Sequence, residues 1–224
     1  MKSRVRPREE SDEVVAQVEA RAKALQPKAE LVHDPVWQLV HQSKRSDVVR
    51  IDRCSFGDSE CQKAIRILAD YDELKDLRLQ LGIGSDTMTE FLKIIRRNAT
   101  TLRHIDLSRN RLGPKTALAV AQLLPELPKV VFLDMSFNPV GDEGGSALLQ
   151  ALATHPSLRV LRLRHCWLSD PTADCAATVL KTTSKPLTLC LGGNCIGHLG
   201  LRQLQLPLRG DVAISASDQR PRRS

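Results

Sequence analysis

The sequence predicts an α/β solenoid in which short parallel strands form one side and helices form the other. Two observations carry this prediction. A pattern of aliphatic residues recurs with a polar or small residue at its ninth position, and these ninth positions are 54, 82, 110, 138, 166 and 194, each 28 residues after the last. Of the 224 residues, 42% are hydrophobic but only 3% are aromatic, so the core must be aliphatic. A repeat of this length is one supersecondary unit that buries its apolar face against its neighbours.

The first half of each repeat is predicted to be a strand. The clearest copy runs from Leu102 to Gly113 and has the form L-x-x-L-x-L-x-x-N-x-L. Its fourth and sixth residues alternate to one side and bury an aliphatic ladder. Its ninth side chain is placed to satisfy backbone groups in the turn that leaves the strand. The other copies begin at positions 46, 74, 130, 158 and 186.

The second half of each repeat is predicted to be a helix. Pro114 occupies the opening position of one helix, where its missing N–H is tolerated. Asp142 and Glu143 lie in the first turn of another, where the helix dipole favours acids. Shorter apolar stretches over 64–68 and 88–95 supply the helices of earlier repeats. Residues 46–213 are therefore expected to form six repeats.

This pattern resembles the leucine-rich repeat, and the 28-residue length is similar to its ribonuclease-inhibitor-like class. Asn or Cys at the ninth position is typical of that class, and only Gly82 departs from it, which predicts a distorted turn in the second repeat. The resemblance implies a leucine-rich-repeat solenoid: a short right-handed β–α arc with six parallel strands on the concave side and helices on the convex side.

The two ends of the chain are assigned to flanking segments. Residues 1–45 are predicted to be an N-terminal helical extension, with one helix over 11–26 and a short second helix opened by Asp34 and Pro35. This extension either caps the first repeat or docks a partner. Residues 214–224 are predicted to be a flexible basic tail.

The formal net charge is +7, and the concave face carries the excess of the repeats. We define this face by positions 2, 3, 5, 7 and 8 of each repeat, which hold nine basic and five acidic side chains. Near its middle, aromatic side chains lie among arginines, a composition typical of interface hot spots. The candidate partner-binding residues are Arg50, Arg53, Arg78, Arg103, Arg109, Phe132, Phe137, Arg159, Arg162 and Arg164.

Three interpretations of this face remain open. It binds the acidic surface of a protein partner, which makes the chain a scaffold or adaptor subunit of a larger intracellular assembly. Alternatively, the chain is an RNA- or ribonucleoprotein-associated subunit that uses the Arg-rich face and the basic tail, although aromatics for stacking bases are few. In the third interpretation the face is merely solvated, with Arg78 paired to Asp106 and Arg162 to Asp134 across adjacent strands.

Catalysis is not expected. His104, Asp106 and Ser108 alternate along one strand, but same-side neighbours lie about 6.6–7 Å apart, too far for a direct proton relay. The sequence has no phosphate-binding loop and no zinc-ligand spacing, so we expect no cofactor, no metal and no small-molecule substrate. An inhibitor that encircles an enzyme would need a longer arc.

The predicted location is a reducing compartment, the cytoplasm. Six cysteines are too sparse for a disulfide scaffold, and no apolar run approaches the roughly 18 residues that cross a bilayer. The Arg-rich start would suit a mitochondrial presequence, but the acids at 9, 10, 12 and 13 argue against one.

Overall fold

The computed structural model describes residues 35–45, 47–51, 57–84, 87–205 and 212–219. The chain divides into two units, Met1–Gln38 and Leu39–Ser224, and only residues 35–38 of the first are described. The helix predicted over 11–26, the candidate residue Arg53 and the arginines of the predicted tail lie outside the described residues. Every described strand belongs to the second unit.

One eight-stranded sheet runs through this unit in chain order. Strand β1 is antiparallel to β2, and every later pair is parallel. The six predicted strands are confirmed as β2 to β7, and their register aligns residues 28 apart, as in the buried row that runs from Leu77 to Leu189. The strands are β1 Lys44–Arg45, β2 Val48–Ile51, β3 Asp76–Leu79, β4 His104–Asp106, β5 Phe132–Asp134, β6 Val160–Arg162, β7 Leu187–Cys190 and β8 Val212–Ser215.

The helices alternate with the strands, as the sequence predicts, and from α2 onward each contacts the next. Small residues let α4 and α5 approach closely, because a Cβ placed on Gly144 would lie only 2.6 Å from that of Ala117. The helices are α1 Pro35–Ser43, α2 Asp58–Leu68, α3 Met88–Arg97, α4 Pro114–Leu123, α5 Gly141–Thr154, α6 Asp170–Thr182 and α7 His198–Gln205.

Ninth-position asparagines fasten successive repeats together. The Asn138 side chain, 1% exposed, accepts a hydrogen bond from the Leu112 N–H at 3.1 Å. Its amide nitrogen donates to the carbonyls of Leu107 in the preceding repeat and Met135 in its own, each at 2.9 Å. One side chain thus satisfies three backbone groups in two repeats. Asn110 and Asn194 make the same kind of bridge.

Cysteine at the ninth position supplies only half of this bridge. The Cys166 Sγ donates to the Met135 carbonyl at 3.2 Å, as an asparagine amide would. Burial raises the pKa of this thiol to about 12, so it keeps its proton. In the preceding turn, the Val140 N–H donates instead to the Asn138 carbonyl at 2.8 Å. Helix α5 accordingly begins at Gly141, the twelfth position, whereas α4 and α6 begin at the thirteenth.

The distorted turn predicted in the second repeat is present. In the third, fourth and fifth repeats the left-handed backbone conformation falls at the eighth position, on Arg109, Phe137 and His165. In the second repeat it falls at the ninth position, on Gly82, where φ is +70°. Glycine adopts this conformation without the steric penalty that a Cβ brings.

The sheet ends in a seventh half-repeat that the 28-residue spacing does not predict. Strand β8 lies partly within the segment expected to be a flexible tail and pairs in parallel with β7. The Gln219 side chain donates to the Leu191 carbonyl at 3.1 Å and accepts from the Ile196 N–H at 3.1 Å, which is the bridge that ninth-position asparagines make. Asp218, at the equivalent of the eighth position, is left-handed with φ of +59°. Gln219 follows Asn194 by only 25 residues, which hides the half-repeat from a fixed period.

The bridge can be tested at Asn138. We expect Asn138→Ala to lower the free energy of unfolding by about 3 kcal/mol, because it leaves buried backbone groups without partners. Asn138→Cys should lose less, since a thiol in this slot donates as Cys166 does. Urea denaturation of both variants and the wild type measures the difference. Equal losses for alanine and cysteine would contradict the donor role.

Candidate functional site

The sheet register builds the concave face as rows of side chains that cross the strands. The third-position row contains Asp76, His104 and Phe132 on β3, β4 and β5. The fifth-position row contains, in strand order, Arg50, Arg78, Asp106, Asp134, Arg162, Cys190 and Ser215. Charges on neighbouring strands therefore lie side by side.

Every described aspartate on this face contacts a basic side chain. Lys75 contacts Asp47 at 2.7 Å and His104 contacts Asp76. Arg78 contacts Asp106 at 3.0 Å and Arg162 approaches Asp134 at 3.7 Å, which are the two pairs expected for a solvated face. Arg78 and Arg162, both candidate partner-binding residues, are thus largely neutralised within the chain.

Backbone N–H groups also hold the two central aspartates in place. The Ser108 N–H donates to Asp106 at 2.9 Å, and the Ser136 N–H donates to Asp134 at 2.8 Å. Burial raises the pKa of Asp134, and the neighbouring Asp106 charge raises it further, against the hydrogen bonds from Ser136 and the attraction of Arg162. The centre of the face therefore holds two adjacent, largely buried carboxylates, Asp106 and Asp134. We call this part of the face the central band.

Five arginines of the face have no carboxylate partner within the described part of the chain. Three lie next to strand ends: Arg103 and Arg159, at the second position, precede β4 and β6, and Arg109, at the eighth position, follows β4. Arg164, at the seventh position, follows β6, and Arg50 lies on β2. The Arg159 guanidinium is fixed but not neutralised, because it donates to the Pro156 and Leu158 carbonyls at 2.9 and 3.1 Å.

These arginines define two rims on either side of the central band. The strand-start rim consists of Arg103, Val131 and Arg159, and the turn rim consists of Arg109, Phe137 and Arg164. In both rims, arginines of the third and fifth repeats flank an apolar residue of the fourth. The structure thus brings together Arg103, Arg109, Phe132, Phe137, Arg159 and Arg164 of the predicted set, while Arg50 belongs to neither rim and lines a depression with Phe132.

Phe137 is the centre of a stack that crosses three repeats. It is 39% exposed, and the Arg109 guanidinium lies 4.3 Å from its ring centroid. The His165 ring stacks against it with centroids 4.6 Å apart and planes 20° apart. Gly193 makes room for the histidine, because a Cβ there would fall 2.2 Å from the imidazole. Guanidinium and imidazole thus hold a solvent-exposed phenyl ring in place.

Phe132 lies beside the central band, at the start of β5 and two residues before Asp134. The Arg162 guanidinium lies 5.0 Å from its ring centroid, and the His104 ring meets it edge-on with centroids 6.1 Å apart. Phe132 also borders a depression of about 270 Å³ whose other lining residues are Arg50, Asp76, Leu77, Arg78, His104 and Asp106.

Sequence reasoning did not include the two histidines among the candidate partner-binding residues. Both signals were available in the register: His104 shares a row with Asp76 and Phe132, and His165 shares the eighth position with Phe137. Trp167, which follows the ninth-position Cys166, is 73% exposed and adopts a left-handed φ of +62°.

The side chains that resemble a catalytic triad are engaged elsewhere. His104 contacts Asp76 of the preceding repeat, and the Ser108 hydroxyl accepts a hydrogen bond from the Gln80 amide at 2.9 Å. Within the described ranges, no cluster of His, Cys, Asp and Glu side chains could hold a metal ion. No helix among those residues is long and apolar enough to span a membrane.

Sequence comparison with known proteins agrees with this architecture. A family model described as "Leucine Rich repeat" matches residues 98–121 and 126–149. The chain is 28% identical to NACHT, LRR and PYD domains-containing protein 12 of Mus musculus over 166 residues, 73% of this chain and 16% of that protein. It is 26% identical to ribonuclease inhibitor of Sus scrofa over 178 residues, 78% of this chain and 39% of that protein. Among solved structures, leiomodin-1 actin-binding site 2 matches with a TM-score of 0.48 and 16% identity, covering 81% of this chain and 88% of that one. The chain spans less than two fifths of the length of these two curated relatives.

The raised pKa of Asp134 gives a pH-dependent prediction. A carboxyl whose pKa is higher in the folded state destabilises the fold once it ionises, so its cost is absent in acid and present at neutral pH. Asp134→Asn keeps an acceptor for the Ser136 N–H and removes the charge. We expect this variant to exceed the wild type in free energy of unfolding by about 0–1 kcal/mol at pH 7, and the difference to vanish below the ordinary pKa of 3.8.

Asp142→Asn is the control of opposite sign. Burial raises the pKa of Asp142, but hydrogen bonds from Ser169 and Thr172 outweigh it and leave the pKa lowered. Its stabilising effect is therefore present at neutral pH and lost in acid, so Asp142→Asn should be the less stable protein at pH 7 only. Urea denaturation at pH 7 and pH 3 compares the variants, and a lower stability of Asp134→Asn at pH 7 would contradict the assignment.

Proposed function

The chain is a leucine-rich-repeat protein of the ribonuclease-inhibitor-like class, and on that basis we propose that it is an adaptor or scaffold subunit of a larger intracellular assembly. It binds an acidic partner surface through the concave face and carries out no catalysis itself. Repeats of this class are typically binding modules.

The observation that carries this proposal is the uncompensated charge around two phenylalanines of the face. Four described carboxylates of the face are already paired, yet four arginines without a carboxylate partner among the described residues surround Phe132 and Phe137. Arginine grips carboxylates with two parallel hydrogen bonds, and an aromatic residue held among arginines is the usual composition of a hot spot. An acidic protein surface supplies both the charge and the apolar contact that this arrangement lacks.

An intracellular location suits the cysteines. The Cys166 thiol donates a structural hydrogen bond, a role that requires its reduced form. A reducing compartment preserves such thiols.

Phe137→Ala tests the proposal without disturbing the core. We expect the variant to unfold at nearly the wild-type temperature and to bind the partner at least fivefold more weakly, a loss above about 1 kcal/mol. Leu199→Ala is the matched control, because Leu199 is a 71% exposed apolar residue on α7, away from the concave face.

The partner is first captured from cell lysate, with and without ribonuclease, and its affinity is then measured with purified proteins. Capture of one acidic protein that survives ribonuclease and is weakened only by Phe137→Ala supports the proposal. Capture that disappears with ribonuclease would replace it with the RNA-associated alternative. Equal affinities for both variants would place the binding site elsewhere on the chain.

A further inference from the structure

We propose that the concave face receives an acidic amphipathic α-helix that lies across strands β3 to β6. The helix presents an apolar stripe to the central band, and it carries glutamates or aspartates on both flanks, seven residues apart. In heptad terms, positions a and d are apolar and positions e and g are acidic over two successive heptads. This inference rests on the proposed function and specifies the partner's structure.

The first argument is the separation of the two rims. From the second position of a repeat to the seventh, five residues of extended chain measure about 16 Å. An α-helix with its side chains is about 10–12 Å across. A helix laid along the central band therefore fills the space between the rims, and arginines reach it from both sides.

The second argument is the chemistry of the band. Asp106 and Asp134 lie next to each other there, 9% and 7% exposed, and Phe132 lines the same depression as Asp106. A third carboxylate at this place would meet two like charges in a poorly solvated setting. The partner must therefore present apolar side chains to the band and confine its acids to the flanks.

The third argument is the spacing along each rim. The arginines lie two strands apart, in the third and fifth repeats, which is about 10 Å. Seven residues of helix rise about 10.5 Å, so acids at i and i+7 meet both arginines of a rim. The apolar residue between them, Val131 or Phe137, then lies opposite the intervening turn. In an extended peptide same-side residues recur every 6.6 Å or so, a period that matches one arginine and misses the other.

The probe is a monomeric helical peptide of three heptads with Leu at a and d and Glu at e and g. Glutamates on both flanks repel a second copy, which prevents a coiled coil from forming. A covalent link between outer-face positions four apart holds the helix. The comparison peptides are one with the glutamates moved to the outer face, and one with the same charge but prolines on the outer face that abolish the helix. Single-stranded and duplex RNA of 16 nucleotides are measured alongside, all by fluorescence anisotropy with the full chain.

Protein variants assign the flanks. Arg103→Glu/Arg159→Glu inverts the strand-start rim and should weaken binding at least tenfold. Arg66→Glu/Arg202→Glu changes the net charge equally on exposed positions of α2 and α7 and should stay within twofold of the wild type. Lysine in place of glutamate on one flank of the peptide should restore binding to the inverted rim. This rescue distinguishes a flank-specific contact from general attraction.

Each outcome decides the inference. Binding by the helical peptide alone, lost with the inverted rim and rescued by charge exchange, supports it. Equal binding by the proline peptide would contradict the helical form of the partner. It would leave the proposal of an acidic protein partner intact. Binding of RNA with all three peptides inert would overturn the proposed function together with the inference. Failure of every probe would overturn the inference, and the lysate capture would then judge the function separately.

Discussion

The structure depends on the buried ninth-position asparagines, each of which forms hydrogen bonds with two repeats at once. Each ninth-position asparagine offers an acceptor to one repeat and donors to carbonyls in both, so neither turn is satisfied without the other. Buried backbone groups left without partners are costly, and this makes the spacing between bridges rigid. The register of the sheet, and with it every row of the concave face, follows from that spacing.

The concave face shows how a periodic scaffold arranges charge. Its described carboxylates contact basic side chains one strand away, because the register places equivalent positions beside each other. Of the five remaining arginines, all but Arg50 lie at or beyond the ends of the strands. The face thus separates a neutralised centre from two basic margins, an arrangement that the net charge alone does not describe.

The sequence was sufficient for the parts of the molecule that repeat. The six strands, the helices, the role of Asn110 and the pairing of Arg78 with Asp106 all follow from position within the period. It was insufficient where the period breaks or where contacts depend on side-chain rotamers. Gln219 closes the sheet 25 residues after the previous bridge, and no propensity rule brings the His165 ring onto Phe137.

The left-handed eighth position limits which side chains the turn rim can display. Arg109, Phe137, His165 and Asp218 adopt this backbone conformation, and Gly193 adopts it in the sixth repeat. Branching at Cβ is incompatible with it, so valine, isoleucine and threonine are barred there. Any substitution at the eighth position must therefore draw on aromatic, unbranched or short polar residues. The backbone conformation of the turn therefore restricts which residue types can evolve at this edge of the sheet.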